Sequence, residues 1–463
     1  MRILLFRLSV ICTALFVFAN ANAGGPFAVD SETNSGVALR WINDNMEWYA
    51  DDGPLSASVD NAVAKERVQK CLGRWTSITL DNAERKPQAT ATITTTFKGN
   101  VGKDITKDNY KDFIAEALGK YDSKEMRTTV IFDDNGDIIA DLVGEANRNL
   151  VLGLTQPLRA DTTGLYIIKG FTLFNGLLQS NGKLSSDQAV ADELFDAAMT
   201  HELGHLLNLD HSQSNLAIAK ACKLGQDCAD GNHIPTMYPQ LLVKSQGNLT
   251  FDDMITLSWI YPTDAFKKDF CTITGEIFDA NNVPLKQVNV IATRVGEGDT
   301  ATKVDTRSFV SGAFKPECVG DAKYYLYGIV PGRKYRVTYE SIDPAFTSES
   351  GFQPLPNKKP PQFKGGDILS PGGETTVACE KGGDVIEMAS VNIDVSNLCT
   401  PADQSKGDEG AEKGQTSSAR CSLGASGGSP LEAGLLALAA LLIVRQRMGN
   451  SRKRGECARL HFR

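Results

Sequence analysis

The sequence predicts an α+β domain followed by an all-β domain. The chain has 463 residues, and at about 100–200 residues per domain this length corresponds to two or three folded units. In the first part, Val190, Leu194 and Ala198 recur at the spacing of one helix face. From Cys271 onward, apolar and polar residues alternate in short runs that end at Gly, Pro or Asn. Such alternation is typical of β-strands joined by turns, so the two parts differ in fold class.

The composition is that of a globular protein. Hydrophobic residues make up 41% and charged residues 22% of the chain, which excludes a wholly disordered or collagen-like protein. The formal net charge is −8, whereas a nucleic-acid binder normally carries a basic face. We therefore expect no nucleic acid among the partners.

Residues 1–23 have the three parts of a secretory signal. Arg2 and Arg7 give a positive start, an apolar run covers Leu8 to Phe18, and Ala21-Asn22-Ala23 is a cleavage site of small residues. An uncleaved anchor is the alternative, but the apolar run is short. The mature protein is expected to start near Gly24 and to be exported.

One segment, HELGHLLNLDH, carries most of the chemical information. His201 and His205 are four residues apart on a predicted helix, so both imidazoles project from one face and can bind one zinc ion. His211 can complete three nitrogen ligands and leave a fourth position open, as in catalytic zinc sites. Glu202 is displaced around the helix, where a general base would lie. Three of the five histidines of the chain fall in this segment, so a chance occurrence is improbable.

The limits of this helix also follow from the sequence. Ser185 and Gln188 have the spacing of a capping box, which predicts that the helix starts there. Asn208 lies where the chain must turn back to bring His211 to the metal. Because Asn accepts a left-handed conformation better than any residue except Gly, we expect a positive φ at this position.

The segment resembles the zinc signature of the matrixins, a branch of the metzincin endopeptidases. The family has Gly where this chain has Asn208, and both residues accept the turn. The resemblance implies one catalytic Zn²⁺ held by His201, His205 and His211, with Glu202 as the catalytic base. It also implies a Met-turn at Met237, within Ile234–Pro239. The implied fold is a metzincin-type catalytic domain, a mixed twisted sheet with long helices, over residues 36–262.

Other segments resemble elements of the same domain. The resemblance predicts a first strand at Val37–Trp41, a helix near Ala57–Thr76, two strands at Val151–Gly153 and Gly164–Phe174, and a last helix of the domain that starts at Phe251. Val151, Leu152 and Gly153 are expected at a sheet edge that pairs with an extended peptide substrate. Tyr238 is a further candidate for substrate binding. The segment Phe132–Asp137 contains Asn-Gly, which favours a hairpin turn over a calcium loop; calcium is possible but has no clear motif.

The second domain is predicted to be a β-sandwich over residues 271–397. Ile273–Ile277 and Val288–Val290 resemble strands of the carboxypeptidase-regulatory-like sandwich, which often follows secreted enzyme domains. A stalk or stabilising module and a module that binds substrate or envelope material are both open as its role.

The cysteines are typical of an oxidising compartment. Cys222 and Cys228 would close a short loop, and Cys271/Cys318 and Cys379/Cys399 are candidate pairs in the later domain. Cys71 is left without a partner. Connectivity does not follow from sequence alone.

The C-terminal region predicts attachment to a membrane surface. Residues 400–430 form a polar linker, residues 431–445 an apolar helix and residues 446–463 a basic tail. This arrangement resembles the C-terminal sorting tags of surface proteins of some Gram-negative bacteria, which implies trimming near Cys421. A permanent single-pass anchor is the alternative.

Together these features predict an exported zinc endopeptidase at the cell envelope surface or outside the cell, acting on proteins or peptides. Its membrane contact would run through the C-terminal segment. The alternative is a non-catalytic surface binding or adhesion protein with a vestigial zinc site. The sequence makes no prediction of the oligomeric state.

Overall fold

The computed structural model describes residues 24–29, 37–119, 128–160, 166–179, 191–223, 226, 228–296, 301–312, 322–342, 361–364, 368–370, 376–396 and 419–423. The predicted signal, apolar helix and basic tail lie outside the described residues, as does most of the predicted linker.

The first part of the chain contains both helices and strands. Its strands are β1 (Arg40–Trp41), β2 (Asn45–Ala50), β3 (Thr79–Asp81), β4 (Pro87–Ala89), β5 (Thr94–Asn100), β6 (Thr128–Asp133), β7 (Val151–Ala160), β8 (Tyr166–Asn175) and β9 (Gln240–Leu241). Its helices are α1 (Asn61–Thr76), α2 (Tyr110–Gly119), α3 (Asp137–Val143), α4 (Asp192–Leu206), α5 (Leu216–Ala221), α6 (Phe251–Ile260) and α7 (Asp264–Asp269).

Most of these strands belong to one mixed sheet with the order β5-β2-β6-β8-β7, and β1 pairs with β8. The strands β5, β2, β6 and β8 run parallel to one another, whereas β7 is antiparallel to β8. Val130 and Phe132 of β6 belong to the core under α1 and α4, while Ile131 belongs to the core under α2 and α3. Successive side chains of a strand point to opposite faces, so helices cover both faces of the sheet. This mixed α/β arrangement agrees with the fold that the resemblance implies.

Two local predictions about this part are wrong. The helix α4 begins at Asp192 after extended Ala191, with φ −65° and ψ 150°, and so does not start at the predicted capping box. Ser185 and Gln188 themselves lie outside the described residues. The Asn-Gly turn forms, with Gly136 at φ 75°, but it leads into α3 instead of a second hairpin strand.

The remaining strands are those of the all-β part and β21, a segment near the C-terminus that pairs with β7 and β9 of the mixed sheet. They are β10 (Cys271–Asp279), β11 (Val288–Val295), β12 (Ala301–Val310), β13 (Lys323–Ile329), β14 (Lys334–Ser341), β15 (Gln362–Phe363), β16 (Ile368–Leu369), β17 (Thr376–Ala378), β18 (Val385–Glu387), β19 (Val391–Ile393), β20 (Val395–Ser396) and β21 (Ala419–Leu423). One sheet joins β10 with β13, β18 and β19, and another joins β11 with β12, β14, β16 and β17. Ile273 and Tyr324 of the first sheet share a core with Val290 and Val337 of the second. The sandwich topology and its family resemblance stay predictions.

The all-β part packs directly against the first part. Trp259 of α6 stacks on Tyr327 of β13 with ring centroids 4.6 Å apart. The buried carboxylate of Asp252 at the start of α6 accepts a hydrogen bond from Ser308 N of β12 at 2.6 Å. The two parts therefore share a half-buried aromatic contact and a buried polar contact, both on helix α6.

The cysteine predictions are confirmed in one case and wrong in another. Cys222 and Cys228 form the predicted short-loop disulfide. Cys271 pairs with Cys379, so the pairs Cys271/Cys318 and Cys379/Cys399 are both wrong. Strand β10 starts at Cys271 and Cys379 follows β17, which brings these two residues to the same end of the all-β part. Cys71 is free and buried in α1, and burial raises the pKa of its thiol.

Within the described residues, no helix has the length and apolar character needed to cross a membrane. The apolar segment 431–445 is outside that set.

Candidate metal centre

The structure brings the three predicted metal ligands together at the end of α4. His205 Nε2 lies 3.0 Å from His201 Nε2 and 3.2 Å from His211 Nε2. All three side chains are buried. Among the described residues, these histidines are the one group of three or more His, Cys, Asp or Glu side chains placed to hold a metal ion.

The hydrogen bonds of the Nδ1 atoms show that the Nε2 atoms, which face one another, carry the lone pairs that can bind a metal. His201 Nδ1 lies 2.7 Å from Thr236 O, and His205 Nδ1 lies 2.8 Å from Leu209 O. A carbonyl oxygen only accepts hydrogen bonds, so each Nδ1 carries the proton and each Nε2 carries a lone pair. Two lone pairs at 3.0 Å repel one another unless a cation lies between them.

This donor set fits zinc. Neutral imidazole nitrogens are common zinc ligands, and bonds of about 2.0–2.1 Å in a tetrahedron place ligand atoms about 3.3–3.4 Å apart. The observed separations of 3.0 and 3.2 Å are close to that spacing. Burial lowers the pKa of His201 to about 4 and also lowers the pKa values of His205 and His211. The rings are therefore neutral at pH 7, as metal binding requires.

Met237 lies directly beneath the helix that carries the first two ligands. A Cβ at Gly204 would be 2.5 Å from Met237 Sδ and 2.7 Å from Trp75 Cζ2. Glycine at 204 therefore allows both side chains to approach the α4 backbone. Ser212 N donates to Met237 O at 2.8 Å, which joins the Met237 segment to the residue after the third histidine. This is the position that the resemblance implied for a Met-turn.

Asp253, which the sequence analysis did not single out, holds this turn. Its buried carboxylate accepts from Thr236 N at 2.9 Å, from Met237 N at 3.0 Å and from Thr250 N at 2.8 Å. Thr236 O is the hydrogen-bond partner of His201, so the Asp253 carboxylate orients this ligand indirectly, through the backbone of Thr236. Burial raises the pKa of Asp253. The spacing of Thr250 and Asp253 as a capping box was the available sequence signal.

Asn208 has the predicted left-handed conformation, with φ 74°. Its side-chain amide also makes three hydrogen bonds to the backbone of Ala28 and Leu39. Nδ2 donates to Leu39 O at 2.6 Å and to Ala28 O at 2.9 Å, and Oδ1 accepts from Ala28 N at 2.7 Å. A glycine at this position would keep the turn and lose all three hydrogen bonds.

Residues 24–27 line the loop that carries the third ligand. Gly24 N donates to His211 O at 2.5 Å, Asp210 N donates to Gly25 O at 2.9 Å, and Phe27 N donates to Asn208 O at 2.8 Å. The segment expected to begin the mature chain therefore positions His211 through its backbone. His211 Nδ1 has no hydrogen-bond partner among the described residues.

Glu202 is buried and follows the first ligand on α4. A Cβ at Gly153 of β7 would lie 2.7 Å from Glu202 Cγ and 3.2 Å from Cδ. Glycine at 153 thus opens the space that the Glu202 side chain fills. The predicted base and one of the predicted substrate-binding residues are in direct contact.

The other predicted substrate-binding residues differ in their surroundings. Val151 and Leu152 of β7 are buried in the two cores on opposite faces of the sheet. Tyr238 is buried in a cluster that also contains Leu216 and Val310. Strand β7 has β8 on one side and β21 on the other, so its predicted free edge is taken by residues 419–423.

Comparisons with known proteins give one informative match. No curated protein matches the chain. Two solved structures are similar at 14% identity: the dioxygenase domain of a dioxygenase carbohydrate-binding protein fusion from Streptomyces sp. SirexAA-E covers 27% of this chain and 82% of its own, with a TM-score of 0.13; (S)-allantoin synthase covers 45% and 71%, with a TM-score of 0.16. TM-scores this low carry no argument about the fold. The three-histidine cluster lies inside residues 40–223, a stretch that matches the family model of the matrixins (Peptidase_M10).

Proposed function

We propose that the chain is a zinc-dependent endopeptidase that hydrolyses peptide bonds in proteins or peptides. The observation that carries the proposal is a cluster of three buried imidazoles in which His205 Nε2 lies 3.0 Å from His201 Nε2 and 3.2 Å from His211 Nε2, with Glu202 next to His201 on the same helix. The matrixin match supports it, because the family's activity is that of zinc metallopeptidases.

His201, His205 and His211 would hold the ion, and when bound, zinc supplies Lewis acidity that makes water a nucleophile near neutral pH. Glu202 takes a proton from the attacking water onto its carboxylate and then gives that proton to the leaving amine. The contact with Gly153 limits the positions that this carboxylate can adopt. Thr236 O and Leu209 O keep two ligand rings in one tautomer and orientation.

Removal and return of the metal tests this proposal. We expect the zinc-loaded chain to cleave an unfolded protein, to lose this activity on dialysis against a chelator, and to regain it with one equivalent of Zn²⁺. A chain that binds zinc but cleaves no peptide under any condition would favour the alternative, a surface binding or adhesion protein with a vestigial site. Cleavage that survives chelation would contradict a role for the metal.

We further propose export and attachment at the cell envelope of a Gram-negative bacterium. The predicted signal, the two disulfides and the predicted sorting tag support this location. Intact-mass analysis of the protein from its native cells tests it. A product that starts at Gly24 and ends near Cys421 is expected, and a product that retains Arg463 would instead indicate a permanent anchor.

A further inference from the structure

A short segment near the C-terminus forms the eighth strand of the mixed sheet in the first part of the chain. Strand β21 pairs antiparallel with β7, with Cys421 opposite Gly153 and Ala419 opposite Thr155. On its other side it pairs parallel with β9, with Ser422 opposite Gln240. The segment therefore lies between β7 and the strand that follows the Met237 turn.

This position is directly beside the candidate catalytic residues. Neighbouring strands lie about 4.8 Å apart, so the backbone of Cys421 runs one strand spacing from Gly153. Gly153 itself contacts Glu202. Strand β21 also packs against α4, the helix that carries His201 and His205. The pairing shifts register between Cys421 and Ser422, at the residues nearest to this contact.

An extended backbone between two strands is one of the ways in which proteins bind peptides. Main-chain hydrogen bonds to a free sheet edge supply the affinity, and any chain without proline at the paired positions can make them. Residues 419–423 contain no proline. Within the described residues, no other strand pairs with β7 on this side.

The connection between β21 and the all-β part of the chain is long. The last described strand of the all-β part ends at Ser396, which leaves residues 397–418 before β21. At about 3.3–3.6 Å per residue, an extended chain of this length spans roughly 70–80 Å. A segment tethered to its own binding site acts at an effective concentration on the order of millimolar, so it competes strongly with free peptides.

We propose that residues 419–423 are an intramolecular occupant of the peptide-binding cleft and compete with substrates for the edge of β7. The inference rests on the proposed function, since it assigns the groove between β7 and β9 to the substrate. Its consequence is that the intact chain is autoinhibited, and that loss of the β21 pairing opens the cleft.

Two double variants separate backbone pairing from side-chain effects. The double variant Arg420→Pro/Cys421→Pro removes two backbone N–H groups from β21. Successive N–H groups of a strand point to opposite neighbours, so one of the two faces β7 and the other faces β9. Arg420→Ala/Cys421→Ala removes the same charge and thiol and keeps both N–H groups. We expect the proline variant to cleave a fluorogenic peptide with a kcat/KM at least tenfold above that of the intact chain, mainly through a lower KM. The alanine variant should remain close to the intact chain. Intact mass is checked before and after each assay.

A binding measurement makes the inference independent of catalysis. In the Glu202→Gln background, fluorescence anisotropy follows a labelled synthetic peptide of residues 415–426. We expect the peptide to bind at least tenfold more tightly to the proline variant than to the chain with an unaltered tail. A control peptide with proline at the positions of Arg420 and Cys421 should bind weakly to both proteins. If this difference holds while no variant hydrolyses any peptide, the proposed function fails and the occupancy stands. If all variants hydrolyse and bind equally, or if the alanine variant behaves like the proline variant, the occupancy is overturned.

Discussion

The side chain of Glu202 lies against the backbone of Gly153, in space that any larger residue at position 153 would fill. A Cβ there would be 2.7 Å from Glu202 Cγ, 3.2 Å from Glu202 Cδ and 3.2 Å from Leu173 O. Because Leu173 O belongs to the paired strand β8, the backbone cannot retreat from the clash. Residue 153 therefore controls the position of the proposed catalytic base.

Gly153→Ala should lower kcat/KM by about 100-fold, since displacement of a catalytic group by about 1 Å has a cost of that size. Zinc content should be unchanged, because the ligands lie on other residues. Gly73→Ala on α1 is the matched control, since a Cβ at Gly73 meets no atom within 4 Å. Steady-state kinetics and metal analysis of both variants check this expectation. Full activity of Gly153→Ala would show that Glu202 does not depend on this contact.

Asn208→Gly should destabilise the fold while keeping the turn at the third ligand. The variant accepts φ 74° and loses three hydrogen bonds to Ala28 and Leu39. At about 1 kcal/mol net for each bond, the free energy of unfolding should fall by about 1–3 kcal/mol. The free energy of unfolding of Asn208→Ala should fall by about 1–2 kcal/mol more, because the Cβ of alanine is strained in the left-handed conformation at this position. Urea unfolding measures both values; equal stability of the glycine variant and the wild type would show that the amide contributes nothing.

Asp253→Asn should weaken zinc binding without touching a ligand. The amide nitrogen of Asn would face backbone N–H groups that the carboxylate now accepts from Thr236, Met237 and Thr250. We expect a loss of about 2–4 kcal/mol in unfolding free energy and a 10–100-fold loss in zinc affinity, as for other groups that orient a ligand at one remove. Chelator competition measures the affinity. Asp264→Asn, at an exposed carboxylate, is the control, and unchanged zinc affinity of Asp253→Asn would refute the role given to Asp253.

Asp51 should make the fold less stable as the pH rises. Burial raises the pKa of this carboxyl to about 8, against its ordinary value of 3.8, so the folded chain keeps a proton that the unfolded chain releases near pH 4. Folding then binds a proton between about pH 4 and pH 8, and stability falls across this window by up to about 1.4 kcal/mol per pH unit. Asp51→Asn lacks this slope and still has an oxygen to accept from Phe132 N, which donates to Asp51 at 3.2 Å. Urea unfolding of both proteins at pH 5, 7 and 9 measures the difference; parallel pH dependence would contradict a buried proton on Asp51.

The sequence was most informative where a residue type and its spacing carry the chemistry. The convergence of His201, His205 and His211 follows from helix geometry and from the left-handed turn that Asn208 adopts. The strand β7 and the helix α6 were also found near their predicted places, since both have strong local patterns.

The rest depends on contacts between segments that are distant in the chain. The start of α4 was misplaced because Ser185 and Gln188 have the local pattern of a cap, whereas the helix begins after extended Ala191. The pairing of Cys271 with Cys379 joins residues 108 positions apart, and no spacing rule selects that pair over its alternatives. The Asn208 amide contacts and the pairing of Cys421 with Gly153 are likewise long-range.

The central claim is that Glu202 is the base of a zinc peptidase, and a paired measurement of zinc content and hydrolysis on Glu202→Gln tests it most directly. The variant keeps the size of the side chain against Gly153 and keeps all three histidines. The account predicts one zinc ion per chain in both proteins and a kcat/KM lower by about 10²–10⁴-fold in the variant, the usual contribution of general acid–base catalysis. A variant that retains zinc and cleaves peptides at close to the wild-type rate would contradict the account.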